Sequence, residues 1–126
     1  MEIGERDLHR EYEFTLITNG HLTESDTASV LEKYEKLLTA DGGEIIKKDV
    51  WGSRKLAYPV KKHYRGHYTC YDLSALPSSI AEAERLMKID DNVLRYLNLK
   101  LDDRVDVDSR KAEIAKAEVR KDKKLD

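Results

Sequence analysis

From residue 50 to residue 71 the chain carries no Asp or Glu, yet this stretch holds Arg54, Lys55, Lys61, Lys62 and Arg65, with His63 and His67 beside them. Trp51, Tyr58, Tyr64, Tyr68 and Tyr71 are interleaved among these cations. Ammonium and guanidinium groups neutralise phosphates, and aromatic faces stack on bases that are already splayed out, so the combination points toward RNA. A solvated hairpin whose aromatic rings only pack a sheet would have the same composition, and Tyr71 reads as such a core residue.

Other chemistries are poorly served. Asp90-Asp91 and Asp102-Asp103 are neighbours in sequence, an arrangement that diverges side chains and is used for turns and caps rather than for acid–base pairs. Gly42-Gly43 precedes a strand instead of opening a helix, so it is no phosphate loop. His63, His67 and Cys70 have ligand-like spacing, but on a strand His67 and Cys70 point to opposite faces, and a structural zinc needs a fourth ligand. The sequence therefore predicts no catalytic residue, no metal ligand and no cofactor, and the chain is not expected to be an enzyme.

The elements that must position the basic stretch fit in one domain. The chain has 126 residues, 38% charged and 40% hydrophobic, with a formal net charge of -2. A chain of this size can build a core without staples. Cys70 is the sole cysteine, which forbids an intrachain disulfide and fits a reducing compartment. No stretch approaches the roughly 20 apolar residues that span a bilayer, and residues 1–10 lack the apolar core of a secretory signal. A cytoplasmic location is expected, with no membrane contact and no small-molecule substrate.

Residues 10–18 alternate Tyr12, Phe14 and Leu16 with Glu13 and Thr15, which predicts a strand. Thr23 is placed to cap a helix with Val30, Leu31, Tyr34, Leu37 and Leu38 on one face, ended by Gly42-Gly43. Residues 44–60 read as a long strand, with a bulge at Gly52 and an edge or end position for Pro59. Residues 61–65 turn the chain, and residues 66–74 return, with Thr69, Tyr71 and Leu73 on one face and Tyr68 and Cys70 on the other. Pro77 opens a second helix, where Ser79 and Glu82 have capping-box spacing and Ile80, Ala83, Leu86 and Met87 form the apolar face. Residues 93–101 form the last strand, with Val93, Leu97, Leu99 and Leu101 on one parity.

The expected fold class is thus α+β, a ferredoxin-like β-α-β-β-α-β arrangement in which both helices cover one face of a four-stranded antiparallel sheet. Three regions follow: residues 1–9 as a flexible N-terminal segment, residues 10–101 as the RNA-binding domain, and residues 102–126 as a charged tail, mobile or ordered by a partner. Too few apolar residues occur in the tail for it to order itself alone. Residues 65–71 also match loosely the RNP motif of RNA-recognition domains, where Tyr68 would be the open-face stacker. A single-strand RNA binder of that kind is one alternative. A small ferredoxin-like enzyme or ligand sensor, which would need a deep pocket, is another.

Residues 51–62, WGSRKLAYPVKK, carry a more specific signal. With Tyr12-Glu13, Gly42-Gly43, Gly66-x-Tyr68, Ile89-Asp90-Asp91-Asn92-Val93-Leu94-Arg95 and Lys100-Leu101, they resemble bacterial ribosomal protein six of the small subunit, in order from about residue 12 to residue 101. The resemblance implies a ribosomal chain that binds the central domain of small-subunit rRNA during 30S assembly and forms a heterodimer with small-subunit ribosomal protein eighteen. It also implies the contact residues. Arg54, Lys55, Tyr58, Lys61 and Lys62 match the basic hairpin block, Tyr68 the aromatic after the hairpin glycine, and Arg95 the arginine opening the last strand. Arg65 joins them as a cation of the acid-free stretch, and Trp51 and Leu56 are expected to pack. Gly20 stands where many relatives have proline, a departure expected to matter little, and the locally basic tail differs from the glutamate-rich tails of some relatives.

Overall fold

The computed structural model describes residues 8–103 and 106–125. Strand β1 (Arg10–Asn19), helix α1 (Glu24–Leu38), β2 (Glu44–Val60), β3 (His63–Ala75), α2 (Pro77–Ile89) and β4 (Val93–Asp102) follow one another as the alternation dictates, and a further helix α3 (Val107–Leu125) comes last. The strands form one antiparallel sheet in the order β2-β3-β1-β4. Of the segment expected to be flexible, residues 1–7 lie outside the described residues.

One face of the sheet is the core. Tyr12, Phe14 and Leu16 of β1 and Tyr71 and Leu73 of β3 pack against Leu31, Tyr34 and Leu38 of α1 and Ile80, Ala83 and Met87 of α2. Burying each large side chain contributes about 1.5–3 kcal/mol. The Thr23 side chain accepts from the Asp26 amide, capping α1 as the sequence predicts. For α2 the capping-box reading is corrected. Leu76 is the N-cap and Pro77 fills the first turn, where its missing amide costs nothing, so Ser79 is buried inside the helix while Glu82 pairs with Arg85 at 2.7 Å. The turn after α1 takes positive φ at Asp41 and Gly42 rather than at both glycines.

Two departures reshape the other, open face. The register of β1 against β4 shifts between Ile17 and Thr18, a bulge that breaks the parity read from Val93. Val93 and Leu94 are both buried, Tyr96 packs on the core and stacks with Phe14 at 6.0 Å, and Leu97, Leu99 and Leu101 emerge exposed on the open side. An extra residue flips every later side chain, which alternation alone cannot show. Gly20 also matters more than expected. Its amide donates to the Arg65 carbonyl at 3.0 Å, and a Cβ there would lie 2.7 Å from the Arg65 carbonyl carbon. A proline at this point would lack the donor and require the chains to separate.

α3 lies against the acidic end of the open face. Arg110 donates to Glu11 at 3.0 Å and to Asp72 at 3.4 Å, and Lys111 reaches Glu44 at 2.6 Å. Burial and then the neighbouring Glu11 push the Asp72 carboxyl above the usual range, and Arg110 opposes them. The Glu11 side chain is only 5% exposed beneath Arg110. Stranding a buried carboxylate would cost about 3–5 kcal/mol if nothing moved, but α3 can lift and let water reach Glu11. Arg110→Ala is therefore expected to speed amide exchange throughout α3 while shifting the domain's melting temperature by less than about 4 °C. A larger fall in melting temperature would mean that α3 belongs to the cooperative core.

Candidate nucleic-acid interface

β2 and β3 pair along almost their whole length, whereas the β1–β3 ladder ends at Asn19–Gly66. The tip of the β2–β3 hairpin therefore overhangs the sheet. Its turn is tighter than the residue 61–65 reading: Val60 pairs with His63, leaving only Lys61 and Lys62 between the strands. Both lysines have positive φ, 49° and 68°. A two-residue turn of this type suits strand twist but ordinarily uses Asn-Gly, because a side chain in this region costs roughly 1–2 kcal/mol. Two lysines kept at such cost fit a demand for charge at the tip.

Farther down, β2 departs from the ladder between Ile45 and Lys47 and at two places nearer the tip. One shift falls between Val50 and Gly52, where Gly52 supplies φ 84°, as the bulge reading anticipates. The other falls between Lys55–Arg65 and Val60–His63, where residues 56–59 run outside the register. Pro59, which has no amide to donate, sits in that excursion on an edge strand. The excursion brings Tyr58 against β4, with the Arg95 guanidinium 5.0 Å from its ring centre. Beneath lies a shallow cavity of about 150 Å³ lined by Ile17, Leu56, Tyr58, Tyr68 and Arg95.

The residues singled out by sequence thus converge in part. Lys55 pairs directly across from Arg65, whose side chain is steadied by the Ser53 hydroxyl at 3.0 Å. Like charges facing each other across strands destabilise a sheet, so the pair is explained better by an anion than by folding. Arg54 lies 5.6 Å over the Trp51 ring, which stacks with Tyr68 at 6.3 Å and 12°. Trp51, expected to pack, is 50% exposed and carries Arg54 on its surface. Tyr68 is half-buried. Lys62 is exposed at the turn. Lys61 differs from the rest, because its ammonium donates to the Val93 carbonyl at 2.7 Å and the Asp90 carbonyl at 3.2 Å.

Among the described residues none of Arg54, Lys55, Lys61, Lys62, Arg65 and Arg95 forms an ion pair with a carboxylate. The acids of the open face, Glu11, Glu13, Glu44, Asp49, Asp72 and Asp102, lie toward the opposite end of the sheet from Ile17 and Tyr68, with Asp49, across from Cys70, the nearest to them. The face is therefore polarised along its strands. His67 pairs with Thr18 on the helix-covered side and Cys70 with Thr15 on the open side. Burial holds the His67 imidazole below its ordinary pKa and pushes the Cys70 thiol up. What sequence reasoning missed is the apolar strip of Leu97, Leu99 and Leu101. The adjacent Val93-Leu94, two apolar residues in succession before the alternation resumes, was the available sign.

The tip's strain gives a direct check. Lys62→Gly relieves about 1–2 kcal/mol of left-handed backbone cost and adds about 0.5–1 kcal/mol of unfolded-state entropy. The variant is expected to be more stable by about 0.5–1 kcal/mol in urea titration, and an unchanged or lower midpoint would show that the turn is not strained.

A family model described as Ribosomal protein S6 matches residues 11–100. The small ribosomal subunit protein bS6 of Desulfatibacillum aliphaticivorans is 44% identical over 108 residues, which are 86% of this chain and 58% of that protein. This chain thus spans less than two thirds of that relative's length. The bS6 of Caldanaerobacter subterraneus subsp. tengcongensis is 38% identical over 94 residues, 75% of this chain and 99% of its own. Among solved structures, 30S ribosomal protein S6 from Thermotoga maritima superposes with a TM-score of 0.66 at 24% identity, covering 86% of this chain and 98% of the other. That superposition speaks to the fold alone.

Proposed function

The chain belongs to the ribosomal protein S6 family, and from that premise we propose that it acts as a structural component of the small ribosomal subunit, binding the central domain of the rRNA together with small-subunit ribosomal protein eighteen. The observation that carries this reading is the set of exposed cations that have no carboxylate partner among the described residues, Arg54, Lys55, Lys62 and Arg65 on the hairpin and Arg95 on β4. Such groups release counterions from phosphates, so binding is steep in salt. With about four or five contacts, affinity falls roughly 100- to 500-fold over a fourfold rise in salt. Recognition rests mainly on RNA shape, since Tyr68 is already stacked on Trp51 and offers a base little free ring.

The partner protein finds its place beside these cations. Leu97, Leu99 and Leu101 are exposed on the open face along an edge strand, where isolated solvation of three aligned leucines is unfavourable and an apolar partner surface is accommodated. A partner bringing further positive charge explains how a chain of net charge -2 binds a polyanion. The test is sedimentation of the tagged chain from lysate on sucrose gradients at moderate and high salt. Migration with 30S particles at moderate salt is expected, and persistent absence from them would defeat the proposal.

A further inference from the structure

Among Arg54, Lys55, Lys61, Lys62 and Arg65, Lys61 is the one whose charged group hydrogen-bonds to an element outside the hairpin. Its ammonium has three donors, and two of them reach carbonyls 29 and 32 residues away, Asp90 at 3.2 Å and Val93 at 2.7 Å. Those carbonyls belong to the turn between α2 and β4, where Asp90 is the C-cap of α2 and its carbonyl also accepts the Val93 amide. The C-terminal end of a helix is electronegative, so a lysine ammonium beside the Asp90 carbonyl complements the dipole of α2.

We propose that Lys61 is a positioning residue, which tethers the overhanging hairpin tip to the α2–β4 turn and so fixes the hairpin cations relative to Arg95. This deepens the RNA-binding reading above and rests on it. Among the described residues, Lys61 makes the only side-chain hydrogen bonds that join residues 56–64 to another element. A two-stranded ribbon is marginal by itself, and here it is weakened further where residues 56–59 leave the ladder. Without the tether, what holds the tip among the described residues is the contact of Tyr58 with Arg95, the ring contact of His63 with His21 at 6.2 Å, and the packing of Leu56 and Val60 near Leu94. The Lys61 side chain runs back to the sheet body, whereas Lys62, next in sequence and likewise left-handed, is exposed at the turn.

Position and charge have different signatures in a salt titration. A lysine that neutralises a phosphate contributes about 0.7–0.9 to the slope of log affinity against log salt, whereas a residue that only orders the site lowers affinity at every salt concentration alike. The experiment uses the full chain with purified protein eighteen, a transcript of the rRNA central domain, and the variants Lys61→Met and Lys62→Met, which keep the aliphatic stem. Lys61→Met is expected to lower affinity about tenfold with its slope unchanged, and to speed amide exchange of residues 60–64 in the free chain about tenfold. Lys62→Met is expected to reduce the slope by about 0.7–0.9 and leave exchange alone. A reduced slope with unchanged exchange in Lys61→Met would make Lys61 a phosphate contact and overturn the tether, as would a variant that changes neither. If the wild-type chain binds no RNA, the functional reading falls, and exchange alone then decides for or against the tether.

Discussion

Changing Arg54 and Lys55 together to glutamate is expected to remove the chain from 30S particles while leaving its melting temperature nearly untouched. Both side chains are exposed and neither pairs with a carboxylate among the described residues, so the fold gives up only the contact of Arg54 with Trp51. Lys55 in addition faces Arg65 across the ladder, and reversing its charge turns a repulsion into an attraction. Surface substitutions of this kind stay within about 0.5 kcal/mol of neutral. On the RNA side the loss is of another order. A hydrogen bond to a charged group contributes about 1.5–3 kcal/mol, so losing two costs about 3–6 kcal/mol, a hundredfold to ten-thousandfold in affinity, before repulsion from the two new carboxylates is counted. Filter binding to a central-domain transcript, beside a thermal melt, reads both quantities. Retention of binding to within about threefold would place the RNA elsewhere on the molecule.

Phe14→Ala is expected to do the reverse and remove the fold. Phe14 has no exposed surface, stacks on Tyr96, and sits at the centre of the strand that pairs with both β3 and β4. Truncating a buried phenylalanine costs about 3–5 kcal/mol, from lost transfer energy and from the cavity left behind. A domain of this size has about 5–15 kcal/mol in total, and its melting temperature falls by roughly 4–8 °C for each kcal/mol. A drop of roughly 12–40 °C is the expected result in calorimetry. A drop below about 5 °C would mean that the core closes around the missing ring, contrary to its dense packing.

The sequence made the element order legible because each junction carries its own chemistry. Thr23 caps, Pro77 starts a helix where no amide is needed, and Gly52 allows a bulge. Long-range geometry was another matter. The parity of β4 turned on a register shift at Ile17–Thr18, a property of two strands together that neither shows alone. Lys61 and Lys62 are identical in composition and adjacent in sequence, yet one reaches carbonyls of a distant turn and the other faces water. The helix α3 was open in the sequence reading, and its seat depends on Arg110 finding Glu11 and Asp72, respectively 99 and 38 residues away.

The leucines of β4 also bear on the fate of an unaccompanied copy. An outermost strand has one side of its backbone unpaired, and here the same strand bears Leu97, Leu99 and Leu101 in the open. Such a ribbon is a template for self-association. Arg95, Lys100 and Asp102 flank or interrupt it and act as gatekeepers, which slows clumping without abolishing the attraction. Chains whose β4 edge is left uncovered are consequently expected to self-associate through it at high concentration.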